Sequence, residues 1–234
     1  TCDTDRHWRS YEKLKNDHEE VNFHIETTFR YDLISLIREY KYVIFMVDDN
    51  ICVSDFDADK ITDILESTPT AIGFSLRLGT NCTNCYSLNC KQEMPASTKI
   101  ADNIFMFSWF GSEADFGYPL EVSSSIYRVS DIMLILTKQM FSNPHDLEWA
   151  MQSYNYWFSI KKPHLLSFQN SVCFCNPINK IIININKSGT KTEYNIESLL
   201  TKYENGGNII YNFKGFIPDG CHQEVDLEFE RKDK

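Results

Sequence analysis

Lys41 to Ile51 reads KYVIFMVDDNI, and it constrains the fold more than any other stretch. Val43 to Val47 is an unbroken run of five apolar residues. Such a run, bounded by polar residues, is the pattern of a strand buried on both faces, as in a parallel sheet. Asp48-Asp49-Asn50 follows at once. Adjacent carboxylates repel each other unless a cation or hydrogen-bond donors compensate. Ligands of open α/β sheets bind beyond the carboxyl ends of the strands, where this pair sits. A divalent cation is one explanation of the pair, with Mg²⁺ or Mn²⁺ favoured over zinc by oxygen ligands. A turn-forming or helix-capping role is the other.

The remaining pattern supports an α/β chain. Helical spacing covers Trp8 to Lys15 and Leu33 to Tyr40, and Asp55 to Asp59 caps a helix with Ile61, Ile64 and Leu65. Strands are expected at Val21–Ile25, at Ala71–Leu78 with Ile72, Phe74, Leu76 and Leu78 on one face, at Ile104–Phe110, at Lys180–Ile185 and at Val225–Phe229. Gly79–Lys99 and Gly111–Ser125 read as loops. Ser130 is expected to cap a helix. Asn143-Pro144 is a strong helix start, with Leu147, Met151, Tyr154 and Phe158 as its core stripe. Ile196–Tyr203 reads as a helix stopped by Gly206-Gly207. No repeat, low-complexity tract or linker divides residues 1–234, so one domain is expected.

Composition excludes some functions. A net charge of -10 argues against a nucleic-acid surface, which needs clustered Lys and Arg. No apolar run approaches the roughly 20 residues of a membrane span. There is no nucleophile elbow, P-loop or Rossmann fingerprint, and nine glycines leave little for a glycine-cradled phosphate. The eight cysteines leave three readings open: free thiols, an oxidised loop, or a zinc site seeded by Cys82, Cys85 and Cys90. Asn81-Cys-Thr83 and Asn186-Lys-Ser188 are formal glycosylation sequons, meaningful only in a secretory context.

VIFMVDDN resembles the DxD region of GT-A-fold glycosyltransferases, where a hydrophobic strand ends in carboxylates that hold a nucleotide-sugar through a metal. Further segments resemble bacterial family-2-like members in the same order: Ser75-Leu-Arg77-Leu-Gly79-Thr-Asn81, Cys85-Tyr86 with Gln92 and Pro95, Phe116-Gly-Tyr118-Pro119 with Ser125-Ile-Tyr127-Arg128, Asn143-Pro144-His-Asp-Leu147-Glu148, and Cys221-His222-Gln-Glu224. The resemblance spans about residues 1 to 230. It implies a GT-A-like fold with a mixed, mostly parallel central sheet flanked by helices. It also implies that the first βα unit, which holds the nucleotide base, is missing from this numbering. Asn50 departs from the pattern by standing where a third acid is expected.

The resemblance implies a metal-dependent transfer, most simply with inversion, from a UDP- or GDP-sugar to a glycan or lipid-linked acceptor hydroxyl, in glycan or cell-surface polysaccharide synthesis. It assigns a Mn²⁺ or Mg²⁺ to Asp49, with Asp48 and His222, and Asp48 is alternatively a ribose contact. Glu148 is the expected general base, with Asp115 as runner-up. Arg77, Tyr118 and Arg128 are candidate donor contacts. Each has a plainer role open: helix-dipole acid for Glu148, solvated loop for Asp115, salt bridges for Arg77 and Arg128, loop anchor for Tyr118, surface imidazole for His222. A cytoplasmic or membrane-associated location goes with the resemblance. A sugar-phosphate nucleotidyltransferase and a non-catalytic carbohydrate-binding domain are the alternatives.

Overall fold

A computed structural model describes residues 4–178 and 189–231. The helices are α1 (Asp5–Asp17), α2 (Phe29–Ile37), α3 (Ala58–Ser67), α4 (Val129–Lys138), α5 (Pro144–Gln152), α6 (Asn155–Lys161) and α7 (Ile196–Glu204). The strands are β1 (Tyr42–Ile44), β2 (Asn50–Cys52), β3 (Ala71–Ser75), β4 (Asn84–Cys85), β5 (Cys90–Lys91), β6 (Ser97–Ala101), β7 (Ile104–Ser108), β8 (Ser125–Arg128), β9 (His164–Phe168), β10 (Cys173–Cys175), β11 (Gly207–Ile209) and β12 (Phe229–Arg231).

The central sheet has six strands in the order β1-β8-β3-β9-β7-β6. Apolar side chains cover both of its faces. On one, Ile132, Ile135 and Leu136 of α4, Leu147 and Met151 of α5 and Phe158 of α6 pack with Ile72 and Tyr127. On the other, Ile61 and Leu65 of α3 pack with Phe74, Ile126 and Leu166. This is the layered α/β arrangement expected from the alternation of patterns. Among the described residues, no helix is long and apolar enough to cross a membrane.

The sheet is not mostly parallel. Only β3 and β9 run parallel; β1–β8, β8–β3, β9–β7 and β7–β6 are antiparallel. Parallel neighbours need a crossover connection, usually helical. The chain between β3 and β9 contains α4, α5 and α6, which supply it. β6 and β7 instead join through a tight hairpin whose Asn103 takes a positive φ of 59°.

The Val43–Val47 run is also not the most buried strand. Among the described residues β1 lies at the edge of the sheet and pairs only with β8. Val43 and Phe45 pack on the core, while Ile44 is 36% and Met46 46% exposed. The deeply buried strand is β3, every residue of which is out of solvent. A register shift between Ala71 and Phe74 sends Ile72 to one core and Phe74 to the other, so the expected single apolar face is split.

Other elements depart in smaller ways. Val21–Ile25 forms no strand, and Ile25 is largely exposed. Arg128, not Ser130, is the N-cap of α4. The helix begun by Asn143-Pro144 breaks after Gln152, so Phe158 belongs to α6. The loop expected over Gly79–Lys99 contains the β4–β5 hairpin and the start of β6, and the last strand begins only at Phe229. The strand expected at Lys180–Ile185, with Asn186 and Ser188, lies outside the described residues.

Candidate active site

Asp48 and Asp49 sit in a tight turn just past β1. The Asn50 N–H donates to the Val47 carbonyl at 3.1 Å, and the Val47 N–H donates to Asn50 Oδ1 at 2.7 Å. The Asn50 amide then donates to Ser123 Oγ at 3.1 Å and Cys175 Sγ at 2.9 Å. Asn50 thus ties the turn to two other segments, and its side-chain oxygen is engaged by the Val47 N–H. It is a brace, which explains why an amide stands where a third carboxylate was expected: a carboxylate has no N–H to donate.

The two aspartates differ in environment. Asp48 is exposed and lines a cavity of about 1010 Å³ beside α1 and α7. Asp49 is half-buried, and its Oδ1 is enclosed without a hydrogen-bond partner. Burial and then the neighbouring Asp48 push the Asp49 carboxyl up to about 6, against the pull of Arg77. An enclosed, unpartnered carboxylate oxygen beside a second carboxylate fits a bound cation, which would satisfy that oxygen and cancel the repulsion. His222 does not complete the set. Among the described residues no three His, Cys, Asp or Glu side chains converge as a metal-holding group.

Arg77, beyond the end of β3, is the electrostatic centre of the region. It is 4% exposed and faces Glu121, which is 2% exposed, with Nε and Oε1 3.6 Å apart. Burial alone would lower the guanidinium, but Glu121 first and Asp115 further off oppose it and hold the charge. Its field also reaches Asp49, Tyr118 and His222. Glu121 accepts from the Ser123 N–H and the Ser125 hydroxyl. Burial nevertheless pushes its carboxyl up to about 7, opposed first by Arg77. The chain enters this region through Ser124, a fully buried non-glycine residue at φ 77°. Its N–H donates to the Phe45 carbonyl at 2.7 Å, and its carbonyl accepts from Leu76 at 3.1 Å. That backbone stitches the ends of β1 and β3 together, and left-handed conformations of this kind gather at functional sites.

Glu148 and Tyr118 meet as a pair. The Tyr118 hydroxyl donates to Glu148 Oε1 at 2.8 Å, and the Val122 N–H donates to Oε2 at 3.2 Å. Burial and then Glu148 raise the Tyr118 phenol, so it stays a donor. Asp115 is buried and locked to Gln92: the Gln92 amide donates to Oδ2 at 2.9 Å, and the Asp115 N–H donates to Gln92 Oε1 at 3.0 Å. His222 lies along Cys175, next to a cavity of about 430 Å³. Burial and then Arg77 lower it to about 4, against the opposing pull of Asp115, so the imidazole is neutral. It belongs with Arg77 and Asp115 rather than with the aspartate turn.

Arg128 stands apart. Its guanidinium donates to the carbonyls of Ala71 at 2.9 Å, Thr68 at 3.2 Å and Leu65, and it pairs with Asp131 at 3.1 Å. Ala71 begins β3 and Arg77 follows its end, six residues on at roughly 3.3 Å each, so the two arginines sit roughly 20 Å apart at opposite ends of the sheet. Glu121 is the residue that sequence reasoning passed over. Its signal was a single acid between Leu120 and Val122, where the apolar neighbours pull a carboxylate inward.

The fold and site therefore define an α/β protein whose edge strand leads into one exposed and one half-buried aspartate, near one buried guanidinium with several carboxylates within its field. Against known proteins, the chain is 30% identical over 145 residues to "Bifunctional glycosyltransferase pgtA" of Dictyostelium discoideum, covering 54% of this chain and 19% of that protein. The chain thus spans only a small part of that relative's length. No protein-family model matches the chain, and no solved structure matches it.

Proposed function

We propose that this domain transfers a sugar from a UDP- or GDP-sugar to the hydroxyl of a glycan or lipid-linked acceptor. The observation that carries the reading is the enclosed, unpartnered Oδ1 of Asp49 beside Asp48, in a chain similar over half its length to a glycosyltransferase. The same residues are where the resemblance to the GT-A family places its metal.

Asp49 and Asp48 would hold a Mg²⁺ or Mn²⁺ together with the donor's phosphates. Bound there, the cation would neutralise the leaving nucleoside diphosphate. Arg77 adds fixed positive potential in a water-poor site, where charges act most strongly. Glu148 is the proposed base. It takes the acceptor hydroxyl proton as the new oxygen–carbon bond forms and the bond from the anomeric carbon to the diphosphate breaks. Tyr118 and the Val122 N–H fix its two oxygens, and each oxygen keeps a lone pair free. Asp115, committed to Gln92, is the weaker candidate. Attack from the side opposite the leaving group makes the transfer inverting.

Calorimetry of UDP and GDP with and without Mn²⁺ tests the reading. Nucleotide binding that needs Mn²⁺ and is lost in Asp49→Ala is expected. Equal affinity in that variant removes the centre of the proposal.

A further inference from the structure

Six cysteines, free thiols in the structure, lie in three pairs of neighbours. Cys52 of β2 and Cys173 of β10 are direct cross-strand partners, 121 residues apart in sequence, with their sulfurs 2.8 Å apart. Cys85 and Cys90 are direct partners across the β4–β5 hairpin. Cys82 and Cys221, both fully buried, bond to each other and converge on the Arg77 carbonyl at 3.2 and 3.5 Å. Directly opposed residues of antiparallel strands have Cα atoms about 4.5–5.5 Å apart, inside the range that a disulfide spans.

The pairs also account for the cysteine spacing. Cys82, Cys85 and Cys90 looked like the seed of a zinc site. In the fold Cys82 pairs with Cys221 while Cys85 pairs with Cys90, so they do not converge on one point. No metal-holding group exists among the described residues.

We propose that Cys52–Cys173, Cys82–Cys221 and Cys85–Cys90 are three native disulfides, formed in an oxidising compartment, that fasten the segments carrying Asp49, Arg77 and His222. Each pairing loses two protons and two electrons as its sulfur–sulfur bond forms. The electrons reduce a small-molecule or protein disulfide to two thiols, through a mixed disulfide. Cys52, half-exposed and drawn down to about 7 by its contact with Cys173, is the attacking sulfur of its pair. The buried Cys82–Cys221 pair closes while the chain folds. The two long-range links act where they constrain most, since a disulfide restricts the unfolded chain more as its loop lengthens. The cytoplasmic location expected from the sequence would keep these thiols reduced, so the pairs place the domain elsewhere.

The test is to refold the chain in a glutathione redox buffer, alkylate it without reductant and map its peptides. Before alkylation the refolded chain is expected to be about 6 Da lighter than the reduced chain, two hydrogens per bond, and the alkylated chain to yield these three linked peptide pairs with alkyl groups only on the other two cysteines. Its Tm falls by roughly 10 °C or more on reduction. Cys52→Ser keeps the other two links and loses only its own. Alkylation at these six thiols, linkage in another pattern, a tightly held zinc, or an unchanged Tm on reduction each overturns the proposal.

Discussion

Arg77 and Glu121 face each other 3.6 Å apart with almost no access to water. The gap is wider than a hydrogen bond, and Arg77 Nε has no hydrogen-bond partner. Glu121 turns its oxygens to Ser123 and Ser125 instead. The pair is held by charge, not by a bidentate fit, and this leaves the guanidinium field to reach Asp49, Tyr118 and His222.

Breaking that pair on one side strands a buried charge. Arg77→Met is expected to cost about 3–5 kcal/mol, and Arg77→Met with Glu121→Leu to recover most of it. Urea unfolding of the single and double variants checks this. Equal losses in both would mean that the surrounding loop, not the charge, sets the cost.

The buried acid and imidazole act oppositely on stability. Folding raises Glu121 from its ordinary 4.5 to about 7, so the folded chain holds more protons in that window and stability falls as pH rises through it. Folding lowers His222 from 6.5 to about 4, so the unfolded chain binds the extra proton and stability rises with pH through that window. The slopes oppose each other between about pH 4.5 and 6.5. Asp49, raised from 3.8 to about 6, adds to the falling side, so the rising slope should appear only in Glu121→Gln with Asp49→Asn, while His222→Gln should leave the falling one, read from chemical denaturation at half-unit pH steps.

The sequence showed which segments carry candidate polar groups better than how those segments pack. Asp48-Asp49 stood out because they follow an apolar run, whereas Arg77, Asp115, Tyr118 and Glu148 were singled out with the help of the family resemblance; Asp49, Asp115 and Tyr118 lie within the field of Arg77. Sheet direction was not legible: an apolar run reports burial, not the identity or direction of its neighbour. The helix begun at Asn143 was legible at its cap but not at its break, because Tyr154 keeps the helical spacing across the kink. His164–Phe168, the β9 strand at the sheet's centre, escaped notice because Ser167 interrupts its short apolar run. Arg128 looked equivalent to Arg77, and only the register of β8 on β3 separates them.

Asn50 gives a sharp test of that local chemistry. Asn50→Asp keeps the acceptor for Val47 but loses the amide N–H, and it sets a third carboxylate beside Asp48 and Asp49. A loss of about 1–3 kcal/mol is expected by thermal or urea unfolding. If the third acid instead improved a cation site, Mn²⁺ would restore more stability to the variant than to the natural chain.

The Glu148–Tyr118 contact separates binding from chemistry. Glu148→Gln should retain nucleotide binding while transfer falls about 10²–10⁴-fold. Tyr118→Phe removes only the group that orients one carboxylate oxygen, so a smaller loss in kcat is expected. Release of UDP or GDP from the nucleotide-sugar in the presence of acceptor reports both. Full activity in Glu148→Gln moves the base role to Asp115.

Arg128 should affect stability and leave binding alone. Its guanidinium closes the carboxyl end of α3 by donating to the carbonyls of Leu65, Thr68 and Ala71, the first two of which also accept from the Thr68 and Ala71 N–H groups. It also neutralises Asp131, which Lys162 reaches at 3.0 Å from the other side. Arg128→Met keeps much of the aliphatic stem but loses every one of these bonds, so about 1.5–3 kcal/mol of stability should go, the range for hydrogen bonds to a charged group. Because Arg128 sits at the far end of the sheet from Arg77, nucleotide affinity of the folded fraction should stay within about twofold, a change below 0.5 kcal/mol. A large loss of affinity with little loss of stability would return Arg128 to the donor site where its sequence motif first suggested it.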